Sequence, residues 1–292
     1  MLFRPVARTV ADSVTLTKYV SVTTDRLDNS NVGSLAAALA AAEASCLPIA
    51  PPSTTVPGFD LDMAYQVQRL NIAHRVAAGE RAVGHKVGLT SVAIQEQLGV
   101  DRPDFGVITD RMVISDDGSL DSDTLIAPRI EAEFAFRFGA DVPVGPTAQE
   151  IADRVDGIAV ALEVIDSRVA DWKITLVDTV ADNASSARIV CGTFLESTAE
   201  LLRALPDAEI TLRRDGEEVG RGPGSAVLGD PLVSLEWLAA AIGAFGDHFR
   251  AGDVVLAGAV AAAVDLRSGT DWEATVPGFP PVRLHTASKG EA

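Results

Sequence analysis

The chain has 292 residues, 47% of them hydrophobic, and carries a formal net charge of -17 at pH 7. That length can bury a sizeable core in one large domain or two unequal ones. The acidic balance excludes nucleic-acid and anionic membrane partners, both of which need a Lys/Arg excess.

Two cysteines, Cys46 and Cys191, provide neither a disulfide framework nor a zinc spacing. No apolar run is expected to reach membrane-spanning length, and no basic segment followed by an apolar core opens the chain, so a cytoplasmic protein is expected. Residues 1–30, rich in Thr, Ser, Val and Asp, read as an irregular arm. Ser34 is placed to cap an Ala-rich helix with Leu35, Leu39 and Ala42 along one side, stopped by Pro48, Pro51 and Pro52. Asp60 opens a second helix to about Ala78, with Met63, Val67, Leu70 and His74 on one face and Gly79 at its end. His74 is expected as a packed core histidine.

In Gly84-His85-Lys86-Val87-Gly88-Leu89-Thr90-Ser91 the glycines bracket a short strand that delivers one lysine. Thr90 or Ser91 would cap a helix over 92–98. A lysine beside a helix N-terminus is an anion-binding arrangement, and a solvated strand-end lysine fits these residues equally well. Arg102-Pro103-Asp104-Phe105-Gly106 is a turn by composition, in which Asp104 need be only a turn former. A strand follows over Gly106–Ile108.

Arg129–Phe138 alternates as a strand, with Ile130, Ala132, Phe134, Phe136 and Phe138 on one face and Glu131, Glu133 and Arg137 on the other. Two carboxylates at that spacing repel each other, which fits either a cation between them or a solvent-washed face. Thr147 and Glu150 form a capping box. Gly157–Asp166 reads as a buried strand whose Glu163 shares a face with Ala159 and Ala161. A lone carboxylate there bears a heavy desolvation cost unless it is paired or metal-bound. Asp166 has the opposite parity. Trp172–Ala184, with Asp178, Asp182 and Asn183 ahead of Ser185 and Ser186, reads as a loop folding back over a site. Glu209–Val219 is a hairpin around Asp215-Gly216, Pro231 starts a helix, and strands continue to about Leu284. Helices early and strands late indicate an α+β class: an arm over 1–30, a helical region over 31–100 and a β-rich body over 101–286, the last two forming one continuous domain.

Three carboxylates on two strands, a lysine, a turn aspartate and an Asx/Ser loop suit a hard divalent cation, Mg²⁺ or Mn²⁺, with positions left for water and a chelating oxyanion. No His/Cys set competes for a softer metal.

The segments GHKVGLTS (84–91), DRPDFGV (101–107), PRIEAEFAF (128–136), ALEVIDSR (161–168), DTVADNASS (178–186) and GSAVLGDP (224–231) occur in order and with matching gaps. From about Ser34 to Leu284 they resemble the hydratase/decarboxylase branch of the fumarylacetoacetate hydrolase superfamily. The resemblance implies a mixed, rolled β-sheet body with a small helical N-terminal region, in homo-oligomers. It implies Glu131, Glu133 and Glu163 as metal ligands, Lys86 and Asp104 as catalytic groups, and Lys86, Leu89 and Ser185 as substrate-binding residues. The activity implied is metal-dependent addition of water to a small-molecule 2-hydroxy-2,4-dienoate, in meta-cleavage catabolism of aromatic compounds. Association with a pathway decarboxylase or aldolase is compatible with it. Decarboxylation of a 4-oxalocrotonate-type substrate uses the same enolate chemistry, and a non-catalytic partner subunit of the same fold is the alternative from another class. A hydrolase would need a water-activating His/Glu pair, and His248 and His285 lie in scaffold-like segments. Ala261 stands where such proteins often carry Thr, which would remove a substrate-facing hydroxyl, and His85 is also a departure.

Overall fold

Period-two strands dominate the chain, and they assemble into two curled sheets with helices set against them, the mixed rolled α+β architecture expected. The computed structural model describes residues 29–91, 95, 100 and 102–287. The expected arm over 1–30 lies outside the described residues apart from Asn29 and Ser30. The helix expected over 92–98 lies outside them apart from Gln95.

In chain order come α1 (Asn29–Ser45), α2 (Pro52–Thr55), α3 (Leu61–Ala77), β1 (Ala82–Gly88), β2 (Asp104–Thr109), β3 (Val113–Ile114), β4 (Gly118–Leu120), β5 (Arg129–Phe138) and α4 (Ala148–Ala152). They are followed by β6 (Val155–Ile165), α5 (Leu176–Ala181), β7 (Ser186–Cys191), β8 (Leu195–Glu196), α6 (Ala199–Ala204), β9 (Glu209–Arg214) and β10 (Glu217–Pro223). Last come α7 (Pro231–Gly243), β11 (Val254–Ala259), β12 (Val264–Asp265), β13 (Asp271–Thr275) and β14 (Val282–Thr286). The larger sheet has nine strands in the order β2-β1-β11-β5-β6-β7-β3, with β12 added against β5 and β8 against β6. The smaller has five, in the order β10-β9-β13-β14-β4.

β5 lies between β11 and β6, and most of its residues on both faces are buried. Ile130, Phe134, Phe136 and Phe138 enter the main core with Val160, Leu162, Leu235, Leu238 and Trp272. On the opposite face Ala135 packs with Ala159, Ala161, Ile189 and Leu256. Glu133 stands on that same face and is buried. The solvent-washed reading of the Glu face therefore fails, because alternation separates two faces without revealing what covers each.

The helical N-terminal elements form a small core of their own, in which Val32, Leu35 and Leu39 of α1 meet Met63, Ala64 and Val67 of α3 and Val180 and Ala181 of α5. Gln68 ties this unit to the sheet, donating from Nε2 to the Phe105 carbonyl (2.8 Å) and the Val180 carbonyl (3.2 Å). Asp60 caps α3 as expected, accepting from the Met63 N–H. Three expectations are corrected. Ser34 lies inside α1, which begins at Asn29, and His74 is exposed, with Gln68 taking the buried position one turn and a half earlier. The segment Gly224–Gly243 is long and apolar enough to cross a membrane, against the expectation of no such run. Within it, however, α7 buries Leu235, Leu238, Ala239 and Ile242 in the main core, and Ser234 Oγ donates to the Ala257 carbonyl.

His85 faces the main core between Phe105 and Phe249, and its Nδ1 has no hydrogen-bond partner. Burial pushes its pKa down from the usual 6.5 to about 4, outweighing the attraction of Asp247. An unfolded chain therefore takes up this proton first as pH falls. Stability is intact above about pH 6.5 and is lost toward pH 4, by up to about 3 kcal/mol from this residue. Urea unfolding of a His85→Leu variant across pH 4–7 should show a correspondingly shallower acid slope than the wild type. Parallel slopes would refute the assignment.

Candidate active site

The carboxylate cluster follows from strand register. Glu131 of β5 is paired directly opposite Glu163 of β6, and Glu133 opposite Ala161. Cross-strand neighbours of like charge destabilise a sheet, yet ligand atoms from Glu131, Glu133 and Glu163 lie within 4.8 Å of one another. Burial raises the pKa of all three, and mutual repulsion adds to the rise for Glu131 and Glu133. Glu131 is pushed up to about 7. Three groups whose ionised form is this disfavoured need positive charge beside them.

Protein groups supply part of it. Lys86 of β1 reaches across, its Nζ 3.3 Å from Glu163 Oε2 and donating to the Ala184 carbonyl at 2.9 Å. Burial works against the Lys86 charge, but Glu163, Asp104, Glu131 and Glu133 together hold its pKa above the ordinary lysine value. Glu163 Oε1 accepts from Ser186 Oγ at 2.8 Å, whereas Oε2, buried, has no hydrogen-bond partner. Glu133 Oε2 accepts from the Gly258 N–H at 2.7 Å. That contact depends on a register shift in β11 between Leu256 and Ala259, a bulge that re-aims the backbone. Gly258 has φ +118°, and a Cβ there would stand 2.4 Å from Thr90 Oγ1.

Asp104 is the first residue of β2, paired with Gly88 of β1. It is buried, and a Cβ on Gly88 would lie 2.3 Å from its Oδ1. The missing side chain at Gly88 lets the carboxyl approach the Lys86 end of the site. Burial raises the Asp104 pKa, opposed by Lys86 and by the hydrogen bond from Thr179 Oγ1 at 3.1 Å.

A cavity of about 350 Å³ opens beside these groups. Lys86, Leu89, Asp104, Glu131, Thr179 and Ser185 line it. Five of the residues singled out from sequence thus share one wall system, with Glu133 and Glu163 buried behind Glu131. Leu89 has φ +57°, and its carbonyl accepts from Gln95 Nε2. Ile165, Trp172, Ile174, Ala259, Ala262 and Ala263 make much of the remaining wall apolar, with Arg129 and Thr90 as its polar members. Ala261 is not part of that wall and packs toward the main core, so the hydroxyl expected to be missing there does not face the cavity.

The segment read as a folded-back loop does wall the site, but it contains α5. Asp178 Oδ2 accepts from the Thr175 N–H and Oγ1 and from Ser53 Oγ, while Oδ1 accepts from the Ser53 N–H. This carboxylate caps a helix and anchors the α2 turn. Asp166 is likewise structural, accepting from the Ile126 and Ala127 N–H groups. After α5, Asn183, Ala184 and Ser185 all have positive φ, at 54°, 52° and 54°. For Ala184 and Ser185 such a conformation costs about 1–2 kcal/mol, whereas Asn183 is of a residue type that visits it more readily. Thr179, Ser186 and Gly258 were not singled out as site residues from sequence. Thr179 and Ser186 carried a signal, their place in the DTVADNASS segment, and Gly258 carried none.

The cluster fits a hard divalent cation. Its donors are carboxylate oxygens, one of them buried without a hydrogen-bond partner, and it opens onto a cavity through Glu131. Mg²⁺ or Mn²⁺ should raise the thermal midpoint of the wild type, a ligand at 100-fold its Kd contributing about 2.7 kcal/mol. Protonation of Glu131 competes, so binding should weaken from pH 8 to pH 6. A Glu133→Gln variant should show no metal-dependent rise, and an undiminished rise would refute the site.

The family model described as Fumarylacetoacetate (FAA) hydrolase C-terminal matches residues 83–286. A 2-keto-4-pentenoate hydratase of Burkholderia vietnamiensis is 43% identical over 263 residues, covering 88% of this chain and 97% of that protein. Another, from Paraburkholderia xenovorans, is 42% identical over 242 residues, covering 82% and 89%. Among solved structures, the 4-oxalocrotonate decarboxylase from Pseudomonas putida G7, complexed with magnesium and adipate, superposes with a TM-score of 0.83 at 33% identity, covering 89% of this chain and 99% of that one.

Proposed function

The chain belongs to the fumarylacetoacetate hydrolase family, and from that premise we propose that it is a hydro-lyase of the 2-keto-4-pentenoate hydratase type. It adds water to a 2-hydroxy-2,4-dienoate to give a 4-hydroxy-2-oxo acid. The observation that carries this reading is the convergence of Lys86 and Asp104 on one cavity backed by Glu131, Glu133 and Glu163, in a chain whose relatives at 42–43% identity are named as such hydratases. The proposal includes a place in meta-cleavage catabolism of aromatic compounds, Mg²⁺ or Mn²⁺ as the cation, and a cytoplasmic homo-oligomer.

The cation, held by Glu131, Glu133 and Glu163, would supply Lewis-acid polarisation of the substrate's carboxylate and 2-oxygen. Lys86 adds a fixed ammonium at the same end and stabilises negative charge developing on the 2-oxygen. Ser185 lies on the cavity wall beside it and binds the carboxylate. Ketonisation moves a proton to the far carbon of the diene, and the α,β-unsaturated ketone so formed takes water at C4. Asp104 carries the proton, since its carboxyl stands on the cavity wall beside Lys86 and burial raises its pKa from the usual aspartate value. Thr179 orients it, and the apolar wall of Ile165, Trp172 and Ile174 limits competing water.

Decarboxylation of a 4-oxalocrotonate-type substrate is the second reading, favoured by the fold match to that enzyme. Incubation with 2-hydroxypenta-2,4-dienoate and with 4-oxalocrotonate, with mass detection of products, separates the two. Hydroxy-oxo acid supports the hydratase, CO₂ release from the second substrate supports the decarboxylase, and no turnover supports a non-catalytic role. Glu131→Gln should abolish metal-dependent turnover while the fold survives, and Asp104→Asn should slow it ~10²–10⁴-fold. Full activity in EDTA would sink the metal assignment.

A further inference from the structure

The three consecutive left-handed residues Asn183, Ala184 and Ser185 form the segment on which much of the site hangs. The Ala184 carbonyl receives the Lys86 ammonium, Ser185 faces the cavity, and Ser186, next in the chain, holds Glu163. None of the three is a glycine, so surrounding contacts must impose this backbone.

Two sets of contacts do so. Arg168, buried after β6, donates from Nε to Asp182 Oδ1, from its backbone N–H to Asp182 Oδ2, from Nη2 to the Asp182 carbonyl and from Nη1 to the Ser186 carbonyl. It thereby grips both ends of the left-handed segment with a planar fork that lysine cannot reproduce. Asn183 fixes the middle. Its Oδ1 accepts from the Val107 N–H at 2.8 Å and its Nδ2 donates to the Val107 carbonyl at 2.9 Å, so the amide takes the place of a neighbouring strand along β2. Behind the segment, Arg168, Asp182 and Asn183 line a second cavity of about 320 Å³ between α1 and α3. That side is not filled by packing, and directional bonds do the holding.

We propose that Arg168, Asp182 and Asn183 are positioning residues, a clamp that enforces the left-handed turn so that the Ala184 carbonyl and Ser185 hold Lys86 and the substrate carboxylate in register with the Glu cluster. The clamp itself touches no reacting atom. A buried ion pair is weak evidence of stabilisation, since desolvation offsets its attraction, whereas it fixes geometry well. The catalytic half of this inference rests on the hydratase reading; the geometric half does not.

The test uses Arg168→Lys, which keeps the charge and loses the fork, and Asn183→Gly, which tolerates the left-handed backbone and loses only the amide bridge. Acylation of Lys86 by an amine-reactive reagent is followed by peptide mass spectrometry, with Lys173, whose side chain is 73% exposed, as internal reference. Lys86 should label several-fold faster in both variants relative to Lys173, with the Asn183→Gly thermal midpoint close to wild type. With the dienoate, kcat should fall about tenfold or more, as misplaced groups do, while Mn²⁺ binding by the Glu cluster persists. Unchanged Lys86 labelling in folded Asn183→Gly overturns the clamp, as does an activity loss that merely tracks loss of Mn²⁺ binding or of fold. A wild type that turns over no dienoate defeats the hydratase reading alone, and the labelling still decides the clamp.

Discussion

The direct apposition of Glu131 and Glu163 across β5 and β6, with Glu133 one pair further along, is the constraint to which the rest of the site answers. A sheet places these side chains about 5 Å apart whether or not their charges agree. Removed from water, three such groups resist ionisation, and each nearby feature reduces that resistance. Lys86 brings a buried cation, the β11 bulge turns the Gly258 N–H toward Glu133, and Ser186 donates to Glu163. These compensations remain partial, since the pKa values of all three carboxylates stay raised. A hard dication held by Glu131, Glu133 and Glu163 would complete the balance, beside the cavity that Glu131 lines.

The same logic explains why the site sits at the middle of the larger sheet. A carboxylate pair on an edge strand could turn outward and hydrate. β5 has a neighbour on each side along this stretch, and its opposite face is locked by Ile130, Phe134, Phe136 and Phe138. The aromatic face therefore fixes the orientation of the acidic face, one alternating strand serving as both core and ligand scaffold. Asp104 and Lys86 come from the β1–β2 pair in the same sheet, whose register sets Gly88 against Asp104.

Much of this was legible in the sequence, and the limits have physical causes. Alternation in Arg129–Phe138 and the alanines flanking Glu163 are local patterns, and both strands formed where read. The Thr147–Glu150 capping box and the hairpin at Asp215-Gly216 are likewise local, and they appear as expected. What covers a strand face is not local, so the acidic face taken alone read as wet. His74 was misassigned because an amphipathic period does not say where a helix stops meeting its partner. Thr179, Gly258 and Arg168 act through partners distant in the chain: Asp104, Glu133 and Asp182 with Ser186. Only the folded chain brings those pairs together. The family resemblance supplied the roles of Lys86, Leu89 and Ser185, which residue type alone left open.

The close fold match to a decarboxylase, in a chain whose relatives are hydratases, locates where the two chemistries must diverge. In the proposed reading both begin from an enolate, whose charge Lys86 and a cation held by Glu131, Glu133 and Glu163 would stabilise. Here those groups are fixed by sheet register and by the turn at Asn183–Ser185, which leaves little freedom to change them without losing both reactions. The outcome at the other end of the substrate, water added at C4 or CO₂ lost, is decided by what that end meets. The cavity wall formed by Leu89, Ile165, Trp172, Ile174 and the alanines 259, 262 and 263, where the proposed reading would place that end, is supplied largely by segments at or beyond strand ends. Such segments tolerate substitution far better than β5 or β6. One rigid half and one adaptable half allow a single fold to host either reaction.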